Sequence, residues 1–483
     1  MTGRVRTTVI VGVIAAFVAA FAAGTARAAV PATGGVSALH QMYVNPDLSP
    51  AKSAGTTSAG TNYGLFTCQV GLSPVTCYDP YQMRAAYGIS SLIGAGNDGT
   101  GKTIVIVDAF DDPYLAGDLG YFDGFYGLPA ANLTQVYPDG TPPFDVGWAE
   151  ETTLDVEWSH AIAPGAHIVL VHALSNNDSD LISAVNYAVD NNLGDDISMS
   201  FGESDQCLGP NLQSQWHQAF VNATKKGITL FASSGDQGAA QPSCDGNSWI
   251  KSSSAPASDP LVTGVGGTEL SAAGYCLSVL GCNPALNPAP GTYSSETAWN
   301  EGGPYGDFQS LVGPATAASG GGYSTVWSEP AYQEGTINGG KQRAVPDVAY
   351  NAAIYHGVLV RLFGGWYLFG GTSCGSPQWA ALTAIADQSA GHDYGFINSA
   401  LYKIGQSQSS YAAAFNDVTT GTNSSQQFDS SNNAVNITGY NAGPGWDAVT
   451  GLGSPQAGGL LSQLAQQWSP GQATAAINNA KNG

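Results

Sequence analysis

Short apolar runs alternate with stretches of helical period through the middle of the chain. Residues 103–107, 167–171 and 228–231 are rich in Ile, Val, Leu and Phe with little polar alternation, and 196–200 is a further short run of strand length. Strands of that kind are covered on both faces, as in a parallel sheet. The intervening stretches 180–192 and 213–225 have the period of crossover helices. The pattern predicts one α/β doubly wound domain with a mainly parallel central sheet flanked by helices. Gly/Ser/Pro-rich loops between about 239 and 345 enlarge it, and no internal repeat is present.

The ends read differently. Arg4 and Arg6 precede an apolar run from Val9 to Ala23, and Ala26-Arg27-Ala28 fits a small-x-small cleavage site, so residues 1–28 are expected to be a secretory signal peptide. The run is short for a membrane span, and after its removal the protein is expected to be secreted and free of the membrane. Residues 29–67, rich in Ala, Gly, Ser, Thr and Pro, are expected to be a flexible segment. The compact domain is expected over 68–466, with a tail over 467–483.

Loss of residues 1–28 removes three of 14 Lys+Arg and none of 36 Asp+Glu, which takes the formal charge from −22 to −25. A surface so acidic repels nucleic acid. With 43% hydrophobic and only 10% charged residues the chain is globular, and few of its carboxylates can find a basic partner. Their protonation at low pH should therefore cost little native stability. An acidic setting would suit the chain.

Seven cysteines in an exported protein suggest disulfides with one thiol left over. Cys68 with Cys77 and Cys276 with Cys282 can close short loops; Cys207 with Cys244 is the remaining natural pair. Cys374 is then the odd residue, and packing under a turn suits it better than nucleophilic work.

Candidate chemistry centres on Gly370-Gly371-Thr372-Ser373-Cys374-Gly375-Ser376-Pro377, which precedes a helix-forming stretch, 378–388. Glycines allow a tight turn and close substrate approach, and a helix N-terminus favours negative charge. Ser373 is a candidate nucleophile; locally, Thr372 or Ser373 as a plain helix cap fits as well. Glu151 and Asp155 stand four residues apart at the start of a helical stretch, 151–161, so they share a face and compete to ionise. Such a pair can relay a proton, although acidic residues also suit a helix start for electrostatic reasons alone. Asp236 lies in Ser233-Ser234-Gly235-Asp236 after the strand 228–231, where a protonated carboxyl could donate to an oxyanion or a carboxylate could bond its own turn. Asp108, at the end of the first strand, could extend the carboxylate network or cap the next loop.

Taken with these residues, the chain resembles the sedolisin family, the serine-carboxyl peptidases with a subtilisin-like fold. The resemblance runs from about Tyr78 to Leu464. It rests on Glu151-Thr152-Thr153-Leu154-Asp155-Val156-Glu157, Ala163-Pro164-Gly165-Ala166, Ser233-Ser234-Gly235-Asp236, Pro256-Ala257-Ser258-Asp259-Pro260, Val265-Gly266-Gly267-Thr268, Ser319-Gly320-Gly321-Gly322-Tyr323-Ser324, Arg343-Ala344-Val345-Pro346-Asp347 and Gly371-Thr372-Ser373 in family order. It implies a Ser373, Glu151, Asp155 triad and Asp236 at the oxyanion hole. It also implies one structural Ca²⁺ ion, held by Asp417, the Val418 carbonyl, the carbonyls of Gly443 and Gly445, and Asp447. Subtilisin itself is a poorer match, because none of the seven histidines opens a His-Gly-Thr helix start. Two departures stand out: residues 29–67 are too short for the family's usual long propeptide, and Phe201 occupies a strand position where many members carry tryptophan.

The expected function is a secreted, acid-active serine-carboxyl endopeptidase acting on proteins or peptides, as a monomer, through an acyl-enzyme on Ser373. A catalytically silent surface protein using the same fold to bind peptide or glycan is the alternative. An aspartic peptidase does not fit, since the strand and helix alternation supplies no two-lobed β fold.

Overall fold

The computed structural model describes residues 37–38, 41–43, 64–73, 75–277, 282–283, 286–306, 314–337 and 341–480. The expected signal peptide, residues 1–28, lies outside the described residues.

Eight strands form the central sheet: β1 (Thr103–Ala109), β2 (Asn132–Val136), β3 (His167–Ala173), β4 (Asp196–Met199), β5 (Thr229–Ser233), β6 (Thr263–Ala272), β7 (Tyr293–Ala298) and β8 (Val348–Asn351). Their order is β7-β6-β5-β4-β1-β3-β2, with β8 also paired to β6, and every pairing is parallel except β6 with β7. β1 shows why the strands lack polar alternation. Ile104 and Ile106 enter one apolar core, while Val105 and Val107 enter the other. Helices α1 (Leu115–Tyr126), α2 (Val146–Ile162) and α5 (Gly375–Ala390) cover the first face, and α3 (Asp178–Asp190) and α4 (Pro210–Lys225) the second. The doubly wound α/β architecture expected from the pattern, with a mainly parallel central sheet, is thus present.

Three details differ from the sequence expectation. α2 begins at Val146, where Asp145 accepts the Trp148 N–H at 3.0 Å, so Glu151 lies well inside the helix. The stretch 29–67 supplies two short strands, Ser37–Ala38 and Gln41–Tyr43, which pair with distant parts of the chain. Within 467–483 the chain forms a helix, Gly471–Ala480, whose Ala476 and Ile477 join the second core beside α4.

α2 is buried over residues 151–162. It is clamped between the sheet and the strand His356–Leu362, where the Trp158 indole donates to the Leu359 carbonyl at 3.1 Å and Glu157 accepts the Arg361 N–H at 3.0 Å. The helix that carries the candidate carboxylates is therefore one of the most enclosed elements of the molecule.

Candidate active site

The strand Gly365–Gly370 ends at Gly371, whose φ of 99° only glycine adopts comfortably; Thr372–Cys374 then make one tight turn before α5 begins. Ser373 is fully buried, and its hydroxyl donates to the Ser200 carbonyl at 3.4 Å. Ser200 follows β4, so the hydroxyl sits at the carboxyl ends of the parallel strands, where open α/β sheets hold their ligands.

Asp236 approaches from the end of β5. One carboxyl oxygen accepts both the Thr372 N–H and the Thr372 hydroxyl at 2.8 Å, one residue from Ser373. Gly235 holds φ at 114°, which lets the chain turn there, and its carbonyl accepts the Gly320 N–H at 2.7 Å. The Ser319–Gly322 motif is thereby laid beside Asp236.

Glu151 and Asp155 arrive on α2, which packs against the Thr372–Cys374 turn. Both are fully buried. Asp155 lies beside the side chains of Glu151 and Ser200. Burial first, then the charges on Asp108 and Glu151, hold its carboxyl well above the usual carboxylate range. The neighbouring Cys374 thiol is pushed up by burial and by Asp236, Glu151 and Asp155, an electrostatic mark of three carboxyls around one turn. Because α2 starts five residues before Glu151, a helix-start dipole does not explain these acids.

All four predicted site residues therefore meet at one place. Asp108, left open between two roles, joins them: it is fully buried near the end of β1, and its charge bears on Asp155. Ser200 is the residue that pattern reading missed. Its place as the last residue of the run 196–200 was the available signal. Phe201 next to it packs between Trp148 and Trp216, with ring centroids 6.2 and 6.1 Å away. His160, on the same helix, faces Asp123 and the Pro129 carbonyl instead, and burial lowers its pKa.

The expected calcium residues also lie together. The Gly445 N–H donates to Asp417 at 3.1 and 3.2 Å, and the Gly443 N–H to Asp447 at 3.0 Å. Asp447 takes further bonds from Val449 and Thr450, yet burial pushes its carboxyl up to about 6. Two carboxylates and a glycine-rich main chain suit a hard cation. Among the described residues no group of three His, Cys, Asp or Glu side chains could hold a metal, so any remaining ligands here would be main-chain carbonyls.

Cys68–Cys77, Cys207–Cys244 and Cys276–Cys282 are disulfides, and Cys374 is a buried free thiol. Among the described residues no helix is long and apolar enough to cross a membrane.

The chain is similar to several known proteins. Kumamolisin from a Bacillus species is 31% identical over 417 residues, covering 83% of this chain and 66% of the relative. The chain belongs to the sedolisin family. Sedolisin from a Pseudomonas species is 30% identical over 435 residues, covering 87% of this chain and 64% of the relative. Xanthomonalisin from a Xanthomonas species is 29% identical over 469 residues, covering 90% and 50%. The chain thus spans about half to two thirds of the length of these curated sedolisin relatives. The solved structure of Pseudomonas sedolisin, a serine-carboxyl proteinase complexed with pseudo-iodotyrostatin, superposes with a TM-score of 0.67 at 28% identity, over 82% of this chain and 99% of that one. No family model matches the chain.

Proposed function

We propose that this protein is a secreted, acid-active serine-carboxyl endopeptidase. The observation that carries the reading is the convergence of Glu151, Asp155 and Asp236 on the buried turn that presents Ser373. Ser373 attacks the scissile carbonyl while Glu151 takes its proton and returns it to the leaving amine. Asp155, kept protonated by burial, stands beside Glu151 and orients it. Asp236, protonated, donates to the tetrahedral oxyanion. A carboxylate base works only when ionised and a carboxyl donor only when protonated, so activity should peak on the acid side and fall at both ends.

The three disulfides support export, and the match to relatives named as peptidases supports protein or peptide substrates. A monomer is the working state. A structural Ca²⁺ ion would be held by Asp417, Asp447 and the carbonyls of Val418, Gly443 and Gly445; chelation should lower the melting temperature, and Asp447→Asn should make the protein insensitive to the chelator. An unchanged melting temperature on chelation would remove the ion.

The deciding experiment is casein or haemoglobin digestion at about pH 4 by the wild type and Ser373→Ala. Digestion by the variant would remove the nucleophile. A silent binding protein would digest nothing and would also ignore a peptide aldehyde, which forms a hemiacetal only with an activated hydroxyl.

A further inference from the structure

A cavity of about 280 Å³ opens beside the Ser319–Gly322 motif, with Lys251, Gly321, Gly322, Tyr323, Gln342 and Tyr440 on its walls. Two routes tie it to the Ser373 turn. Gly235, the residue before Asp236, donates its N–H to the Thr372 hydroxyl at 3.2 Å and accepts the Gly320 N–H at 2.7 Å. The Ser234 hydroxyl donates to the Gly320 carbonyl at 2.7 Å. Gly320 is thus fixed against the loop that meets the turn, and the next two residues are cavity wall. From the other side, a hairpin grows out of the Asp236 loop: Ala240–Pro242 pairs antiparallel with Trp249–Lys251, which sets Lys251 opposite Ala240. Ser252 and Ser253, next in the chain, donate their hydroxyls to buried Asp205 at 3.1 and 2.6 Å and so anchor the main chain that carries Lys251.

Lys251 gives this cavity its chemistry. Among the described residues no other charged side chain lines it. Lys102, Arg343 and Arg361 each stand beside an aspartate. Among the described residues no carboxylate answers Lys251: burial lowers its pKa and no neighbouring charge raises it. Its ammonium donates to the Thr438 carbonyl at 2.9 Å, stands 3.5 Å from the Gly439 carbonyl and lies 3.8 Å from the centre of the Tyr440 ring. An ammonium carries three N–H groups, so with both carbonyls served one remains for a ligand. The chain has 14 Lys+Arg against 36 Asp+Glu, and a cation that none of those carboxylates takes up is free to choose a partner from outside. The volume falls below the range of about 300–1,000 Å³ usual for small-molecule sites and suits a single side chain.

We propose that Lys251 sets the specificity of the peptidase: the cavity takes a glutamate or aspartate side chain from a peptide lying along Gly320–Gly322, and the Lys251 ammonium binds its carboxylate. The inference rests on the peptidase reading above. Glycines at 320–322 leave the main chain bare for a second backbone to approach, and the side chain that such a peptide turns inward meets Lys251. Its methylene groups lie against Tyr323. A carboxylate makes a charge-assisted bond to the ammonium that the amide of glutamine, its neutral isostere, does not match.

The test first maps cleavage. A peptide mixture is digested by the full-length protein at about pH 5, where a free glutamate side chain, with a pKa of about 4.3, is mostly ionised. Mass spectrometry of the products should show Glu and Asp enriched at one position within about three residues of the cut. Paired fluorogenic peptides with Glu or Gln at that position should then differ about ten-fold in kcat/KM. The ratio should fall to about one in Lys251→Met, drop below one in Lys251→Glu, and return in Lys251→Arg, all with melting curves that match wild type. Equal rates for the pair in the wild type, or a ten-fold ratio that survives in Lys251→Met, would overturn the assignment and leave the peptidase reading intact. Binding of the same pair to Ser373→Ala reads the ratio without turnover: about ten-fold tighter binding of the Glu peptide is expected, and equal affinities would overturn the pocket. A wild type that cuts no peptide and ignores a peptide aldehyde would sink the underlying peptidase reading instead.

Discussion

Buried carboxyls gather at both ends of the same sheet, and only one of the two gatherings surrounds a hydroxyl on a glycine turn. At the carboxyl ends of the strands, Asp108, Glu151 and Asp155 meet Ser373 and Ser200. At the opposite ends, Asp196 opens β4 and Asp387 lies on α5; both are fully buried. Burial lifts Asp387 to about 8 and, with the charge on Asp387, holds Asp196 well above the carboxylate range. A hydroxyl is present there as well, that of Thr229. Thr229, however, sits in the register of β5, directly opposite Asp196. Ser373 instead stands on a glycine turn at a helix start. Acids plus an alcohol are thus insufficient; the alcohol must be presented where a substrate backbone can lie and where helix N–H groups face developing charge.

Substitution at the two ends should separate them most sharply. Ser373→Ala should lower casein hydrolysis by a factor of about 10⁴ or more, while Asp387→Asn should leave the rate within about two-fold. A large loss from Asp387→Asn would erase the contrast. Glu151→Gln, which keeps the shape but not the base, should lower the turnover number about 10²–10⁴-fold with little change in KM, measured on a fluorogenic peptide. Asp236→Ala should cost about 10²–10³-fold, whereas Asp236→Asn, an amide that donates at any pH, should retain more activity and extend it to higher pH. A pH profile for the Asn variant identical to that of wild type would deny Asp236 its role as a protonated donor.

The far cluster should show itself in stability. Asp387 has a folded-state pKa of about 8, above the unfolded value of about 3.9, so the folded state holds the proton through that interval. The stabilisation is complete below about pH 4 and is lost as pH rises to about 8. The melting temperature should fall across that window, and Asp387→Asn should flatten the fall by about 2–5 °C. A slope unaffected by the substitution would place the proton elsewhere. Glu203, lifted to about 8, and Glu301, lifted to about 7, both by burial, act in the same direction.

Much of this was legible in the chain because the signals are local. β1, β3 and β5 have apolar residues on both faces, and that is visible without knowing their neighbours. The i, i+4 relation of Glu151 and Asp155 needs only helical geometry. The start of α2 was harder to see, since Gly147 weakens a helix just inside the Asp145 cap. Ser37–Ala38 and Gln41–Tyr43 carry no strand pattern of their own; their partners lie more than a hundred residues away in sequence. The closing helix Gly471–Ala480 is likewise revealed by where Ala476 and Ile477 pack.

By itself the sequence determined the layered α/β architecture, the order of the motifs and which residue types could serve as nucleophile, base and donor. Tertiary structure decided that Asp108, Ser200 and Asp236 stand around the same hydroxyl as Glu151 and Asp155. The reason is physical. Strand adjacency in a parallel sheet is set by crossovers between distant segments, and the low dielectric that makes a carboxyl hold its proton exists only once those segments have closed over it.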